Sequence, residues 1–261
     1  MEFFNTVHIL YFICTVLFLA GGAFLVKKVP YAVQNVFFVL LVLGGCGGIF
    51  FRYGMGLRWT FDIQWKTLLM QLMQVCNFNF LLLPLMLIPK NELARQYSCM
   101  FSMFCAFTPF LSPASAWAGL AWYDLQILNS WLNHVCAVAL PVIMIAAGRL
   151  KPKKQHAFPV LVCVFLYFTA VAGISYLLIR QGLLTVENSF SFVFKQDGIW
   201  IFEALYKLIP IPYVYLMPLL PVLYVWFRVW AYIFKKRRVL PFSWRNNQRE
   251  NAGMQIKVKE K

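Results

Sequence analysis

Seven times along this chain the sequence stays apolar for about twenty residues, the length that crosses the hydrocarbon core of a bilayer. The runs are 6–26, 32–51, 65–88, 93–111, 126–148, 158–179 and 211–234. Lipid offers no partner to a backbone N–H or C=O, so such runs must form helices that satisfy themselves. Only 13% of the 261 residues are charged, against about a quarter in an ordinary soluble domain. The expected fold is all-α: a polytopic bundle of about seven transmembrane helices over 1–238. The polar, basic tail, 239–261, is expected to be disordered.

The charge pattern fits this reading. Lys and Arg number 24 against 9 Asp and Glu, and they gather at the ends of the apolar runs. Nucleic acid is therefore not the expected partner; the anionic headgroups of an inner leaflet are. The heaviest clusters are Arg149, Lys151, Lys153 and Lys154, and then Lys235, Lys236, Arg237 and Arg238. They predict a cytoplasmic C-terminus and an outside N-terminus. Lys27, Lys28, Lys90 and Arg95 agree, whereas Arg52, Arg58, Lys195 and Lys207 do not. The first run has no basic residues before it and reads as an uncleaved span, with His8 at its outer interface.

The seven cysteines all lie in apolar runs and show no C-x-x-C spacing, which predicts no disulfide framework, no zinc site and no other cofactor. The glycines around Cys46 lack phosphate-loop spacing and point instead to close helix packing. Between the sixth and last runs, 180–209 is too charged for a span and is expected to form a lid, an interfacial helix or a re-entrant segment.

The third run, 65–88, is apolar enough to span, yet its middle carries Gln71, Gln74, Cys76, Asn77 and Asn79. A helix facing lipid gains nothing from amides at that depth, so these must face other helices or a polar cavity. The fifth run carries a second polar group: Asn129, Ser130, Asn133 and His134. Lys66 to Cys76 and Asp124 to His134 are both ten residues, so both would lie about 15 Å below the outer edge.

A thiol with an imidazole in reach is the minimal equipment for acyl transfer through a thioester. Cys76 would attack an ester carbonyl and His134 would take and return the proton. Asn77, Asn79, Asn133 or Gln74 would bind substrate or donate to the oxyanion. One geometric tension remains. On a regular helix Thr67, Gln71 and Gln74 share a face and Cys76 points nearly opposite, unless Pro84 disturbs the winding.

The stretches QVCNFNFLLLPLMLIPK, SWLNHV and KLIPIPYVYLMPLLP resemble the YwaF-type integral membrane proteins of Gram-positive bacteria, grouped with the TMEM-type acyltransferase-like family of animals. The resemblance spans about 65–234. It implies a multi-pass protein of a bacterial plasma membrane that transfers phospholipid acyl chains. It also implies an intramembrane cysteine nucleophile, matched here by Cys76, and a histidine partner, matched by His134. Where the animal motif carries His directly after Cys, this chain has Asn77.

Two other classes fit the same residues. Bent helices with intramembrane amides also suit a small-molecule transporter, although no carboxylate lies within a span to couple ions. A non-catalytic scaffold needs only the bundle. A seven-span receptor is disfavoured: D-R-Y and N-P-x-x-Y are both missing.

Overall fold

The computed structural model describes residues 6–54, 73–88, 90–111, 121, 123–186, 190–194, 196 and 199–235. Among them the chain is helical and contains no strand. The helices are α1 (Thr6–Leu25), α2 (Tyr31–Gly54), α3 (Val75–Leu82), α4 (Glu92–Tyr97), α5 (Met103–Leu111), α6 (Leu125–Ala146), α7 (Ala157–Arg180), α8 (Trp200–Leu208) and α9 (Leu219–Ile233). Five stretches are long and apolar enough to cross a membrane: Thr6–Leu25, Tyr31–Phe50, Leu125–Ala146, Lys154–Arg180 and Val214–Ile233. The protein is a polytopic membrane bundle.

Helix α6 is its axis. It packs against α2, α1 and α5, and its residues from Asn133 to Pro141 are all buried. Helix α1 is the opposite case. It buries only His8, Tyr11 and Thr15, and presents Ile9, Leu10, Ile13, Leu17 and Phe24 outward. That is how a helix with apolar residues on every side behaves at a lipid boundary. His8, expected at the interface, is buried instead, and its Nε2 lies 2.8 Å from the Phe110 carbonyl.

Local chemistry sets several ends. Asn91 caps α4 by accepting from the Ala94 N–H, and Asp124 caps α6 by accepting from the Gln126 N–H. Helix α6 stops in a Schellman turn: Arg149 N–H reaches the Met144 carbonyl and Gly148 N–H reaches the Ile145 carbonyl. Gly148 takes the left-handed φ of 72° this turn needs.

That turn carries Arg149 into the bundle, where it is fully buried. Its Nε donates to Gln34 Oε1 at 3.1 Å, its Nη2 donates to Asn35 Oδ1 at 3.4 Å, and its guanidinium lies over the Tyr31 ring. Burial lowers its pKa to about 10, so it stays charged at neutral pH. The following loop is clamped to α4. Gln96 donates to the Lys151 carbonyl and accepts from the Lys153 N–H, and Glu92 pairs with Lys153 at 2.8 Å.

Three of the expected spans depart from a plain helix. Over 93–111 the rod is helical but passes through a π turn, Ser98–Ser102, between α4 and α5. Over 211–234 the helix proper begins at Leu219, after a 3₁₀ turn at Val214–Leu216; Pro218 and Pro221 fall at its first turn, where proline is tolerated. Over 65–88 the described part is broken at Gln74 and tightens to a 3₁₀ turn at Leu83–Leu87, beside Pro84. The tail, Gln71 and the loop 55–64 lie outside the described residues.

Candidate functional site

Helix α3 starts inside the bundle rather than at its edge. Met73 is helical, Gln74 turns to an extended φ of −76° and ψ of 121°, and α3 begins at Val75. Cys76 therefore sits in the first turn of a helix. The N–H groups of a first turn have no carbonyl within their own helix to bond. They gather the positive end of the helix dipole around the residues that carry them.

The winding is interrupted at Gln74, so Cys76 takes its direction from α3 alone. In the frame of α3, Cys76, Asn79, Phe80 and Leu83 lie on one face. Cys76 is partly exposed on this face, and the other three are buried.

His134 reaches the same face. Its ring meets the Phe80 ring edge-on at 4.9 Å between centroids, one turn along α3 from Cys76. It also meets Phe110 edge-on at 6.3 Å. The imidazole Nδ1 lies 2.7 Å from the Ser130 carbonyl. A carbonyl can only accept, so in the neutral ring Nδ1 holds the proton and Nε2 holds the lone pair that a base requires.

The amides divide into two groups. Asn79, on the Cys76 face, is fully buried and accepts from the Tyr97 hydroxyl at 3.0 Å; its Nδ2 has no partner. Asn77 is buried one residue after the thiol. Asn133 belongs elsewhere: its amide donates to the Gly44 carbonyl at 3.0 Å and the Asn129 carbonyl at 3.2 Å. Asn129 donates to the Gly48 carbonyl at 3.1 Å. These two amides bind α6 to α2. Gln74 is exposed and its side chain makes no cap to α3. The structure thus brings His134 to the Phe80 turn of α3, on the face that carries Cys76 and Asn79, with Asn77 buried in the same helix, and leaves Gln74 exposed and Asn133 bound to α2.

Three contributors were not picked out in the sequence. Tyr167 of α7 stacks on Phe78 at 4.5 Å and donates to the Met73 carbonyl at 2.9 Å. Ser191, from the segment after α7, reaches the backbone on both sides of the break. Cys105 of α5 packs against the same hydrophobic core as Cys76. No sequence signal marks Ser191, because its backbone partners lie more than a hundred residues away. Among the described residues no group of His, Cys, Asp and Glu has the arrangement to hold a metal ion.

Among curated proteins and solved structures none matches the chain significantly. One family model does, that of the TMEM164 family, over residues 3–230.

Proposed function

The chain belongs to the TMEM164 family, and on that premise we propose that it is a membrane acyltransferase, or lipid hydrolase, working on phospholipid acyl chains. The observation that carries this reading is the position of Cys76. A thiol in the first turn of an interrupted helix sits at the positive end of that helix's dipole, which favours the negative charge an ester carbonyl develops under attack. An unbroken span would put no helix end there.

The chemistry balances as follows. The Cys76 thiol proton passes to Nε2 of His134 as sulfur attacks the ester carbonyl carbon. The carbon–oxygen bond to glycerol breaks, the leaving oxygen takes the proton, and a thioester remains on Cys76. A second hydroxyl, from a lysophospholipid or from water, then attacks the thioester and releases the thiol. In this reading Asn77 and Asn79 orient the ester, and Asn133 has a supporting role in tying α6 to α2. Phospholipids of a plasma membrane supply donor and acceptor, and anionic headgroups meet the basic loop at Lys151–Lys154. No cofactor is required.

The test is retention of a labelled acyl group on purified, reconstituted protein. Wild type should form a hydroxylamine-sensitive adduct and Cys76→Ala should form none. An adduct that persists in Cys76→Ala removes Cys76 as the nucleophile. Interrupted helices also serve transporters, so flux across proteoliposomes that survives Cys76→Ala would favour a permease instead.

A further inference from the structure

The break before α3 is held open from outside the helix. In a continuous helix Val75 N–H would bond back to residue 71, and the Met73 carbonyl would accept from Asn77. Here Val75 N–H donates to Ser191 Oγ at 2.9 Å, and Ser191 Oγ donates to the Met73 carbonyl at 2.5 Å. Tyr167 donates to the same carbonyl at 2.9 Å and lies 3.4 Å from Ser191 Oγ. One hydroxyl thus serves both stumps of the interruption.

The segment that delivers Ser191 is built into the bundle. Phe190, Ser191 and Val193 are buried, and Phe190 and Val193 share a cluster with Met73, Val171 and Ala172. Ser191 and Phe192 take left-handed φ values of 51° and 62°, which residues other than glycine hold only where the surroundings impose them. The surroundings are visible: Tyr213 N–H donates to the Val193 carbonyl at 2.8 Å, and the Tyr215 hydroxyl donates to the Phe192 carbonyl.

We propose that Ser191 is the positioning residue of the Cys76 site, wedged in the break so that α3 begins at Val75 and Cys76 is held in its first turn. This rests on the acyl-transfer reading. Ser191 touches no reacting atom; it acts through the backbone on either side of Gln74. Tyr167 seconds it from α7. Without the hydroxyl, Met73 and Val75 lose their shared partner and the chain regains a reason to wind through Gln74, which would turn the first-turn donors back to helix carbonyls.

The experiment uses full-length protein in lipid nanodiscs and two readouts. Ser191→Gly removes the hydroxyl while tolerating the left-handed backbone, so misfolding at that φ is not the explanation of a loss. Tyr167→Phe removes the second bond to Met73. Hydrogen exchange of the Val75–Asn77 amides reads the clamp alone and needs no turnover; both variants should change it at least ~10-fold, since one or two buried hydrogen bonds are lost. Adduct formation on Cys76 reads positioning: Ser191→Gly should slow its maximal rate by about 10²-fold, with half-saturation by phospholipid moved less than ~2-fold. Ser191→Cys, which keeps a weak donor and acceptor of similar size, should recover part of the rate. Unchanged exchange and unchanged rate in Ser191→Gly overturn the proposal. So does a rate loss that merely tracks the folded fraction. Exchange that changes as expected, in a wild type that forms no adduct, leaves the clamp standing and brings down the acyl-transfer reading and Ser191's role in it.

Discussion

Asn129 of α6 donates its side-chain amide to the backbone carbonyl of Gly48 in α2, at 3.1 Å. The bond is possible because Gly48 has no side chain. A methyl there would collide with the Asn133 amide and stand 2.8 Å from Asn129 Oδ1. Gly48→Ala should therefore destabilise the protein by about 2 kcal/mol or more. Gly47 is the control: a methyl at that position meets nothing within 4 Å. Gly47→Ala should be neutral or stabilising by up to about 1 kcal/mol, as expected for Gly replaced in a helix. Thermal unfolding of the two variants side by side checks the contrast.

His134 supplies a second prediction. If its Nε2 takes the Cys76 proton, His134→Ala should slow adduct formation by about 10²- to 10⁴-fold while labelled phospholipid still binds. Single-turnover kinetics at saturating lipid are the measurement. A rate within threefold of wild type would assign the imidazole to packing against Phe80 and Phe110 alone.

Arg149 is fully buried against Gln34, Asn35 and Tyr31. Arg149→Ala strands the two amide oxygens in the core and should cost about 3 kcal/mol or more. Arg149→Lys should not restore stability, because a point-like ammonium cannot reproduce the planar fork that meets both amides and a ring. Denaturation in mild detergent separates the three proteins.

Stability should fall at low pH through Glu92. Burial opposes its charge, but hydrogen bonds from Lys153 and Gln96, with the charges of Lys153 and Arg95, outweigh burial and hold the carboxyl below its usual value. A lowered carboxyl contributes stability above its unfolded value of about 4.3, and that contribution is lost as pH falls through the folded value. Scanning unfolding from pH 6 to pH 3 should show the decline, and Glu92→Gln should flatten it.

The long helices were readable because their boundaries are local. Asp124 and Asn91 announce α6 and α4 a residue before they start, and the run 158–179 became Ala157–Arg180. Of the amides expected to face protein, Asn77, Asn79, Asn129 and Asn133 are buried, whereas Gln74 is exposed. What those amides do was not readable, because it depends on which helix lies opposite. Asn133 and Asn79 look alike in sequence, yet one meets α2 backbone and the other Tyr97. The interruption at Gln74 was hidden for the same reason. The serine bonded across it lies 116 residues after Val75, in a stretch whose charges marked it only as irregular. The π turn at Ser98–Ser102 has no proline or glycine to betray it.

Helix α6 keeps its polar residues only because other helices enclose it. Asn129, Ser130, Asn133 and His134 would each be a burden to a helix meeting lipid alone. Asn129 and Asn133 find backbone partners on α2, which the ribosome makes some eighty residues earlier. Insertion of α6 should therefore be eased when α2 already stands in the membrane to receive those two amides, and translation of a chain lacking α2 should insert α6 less completely.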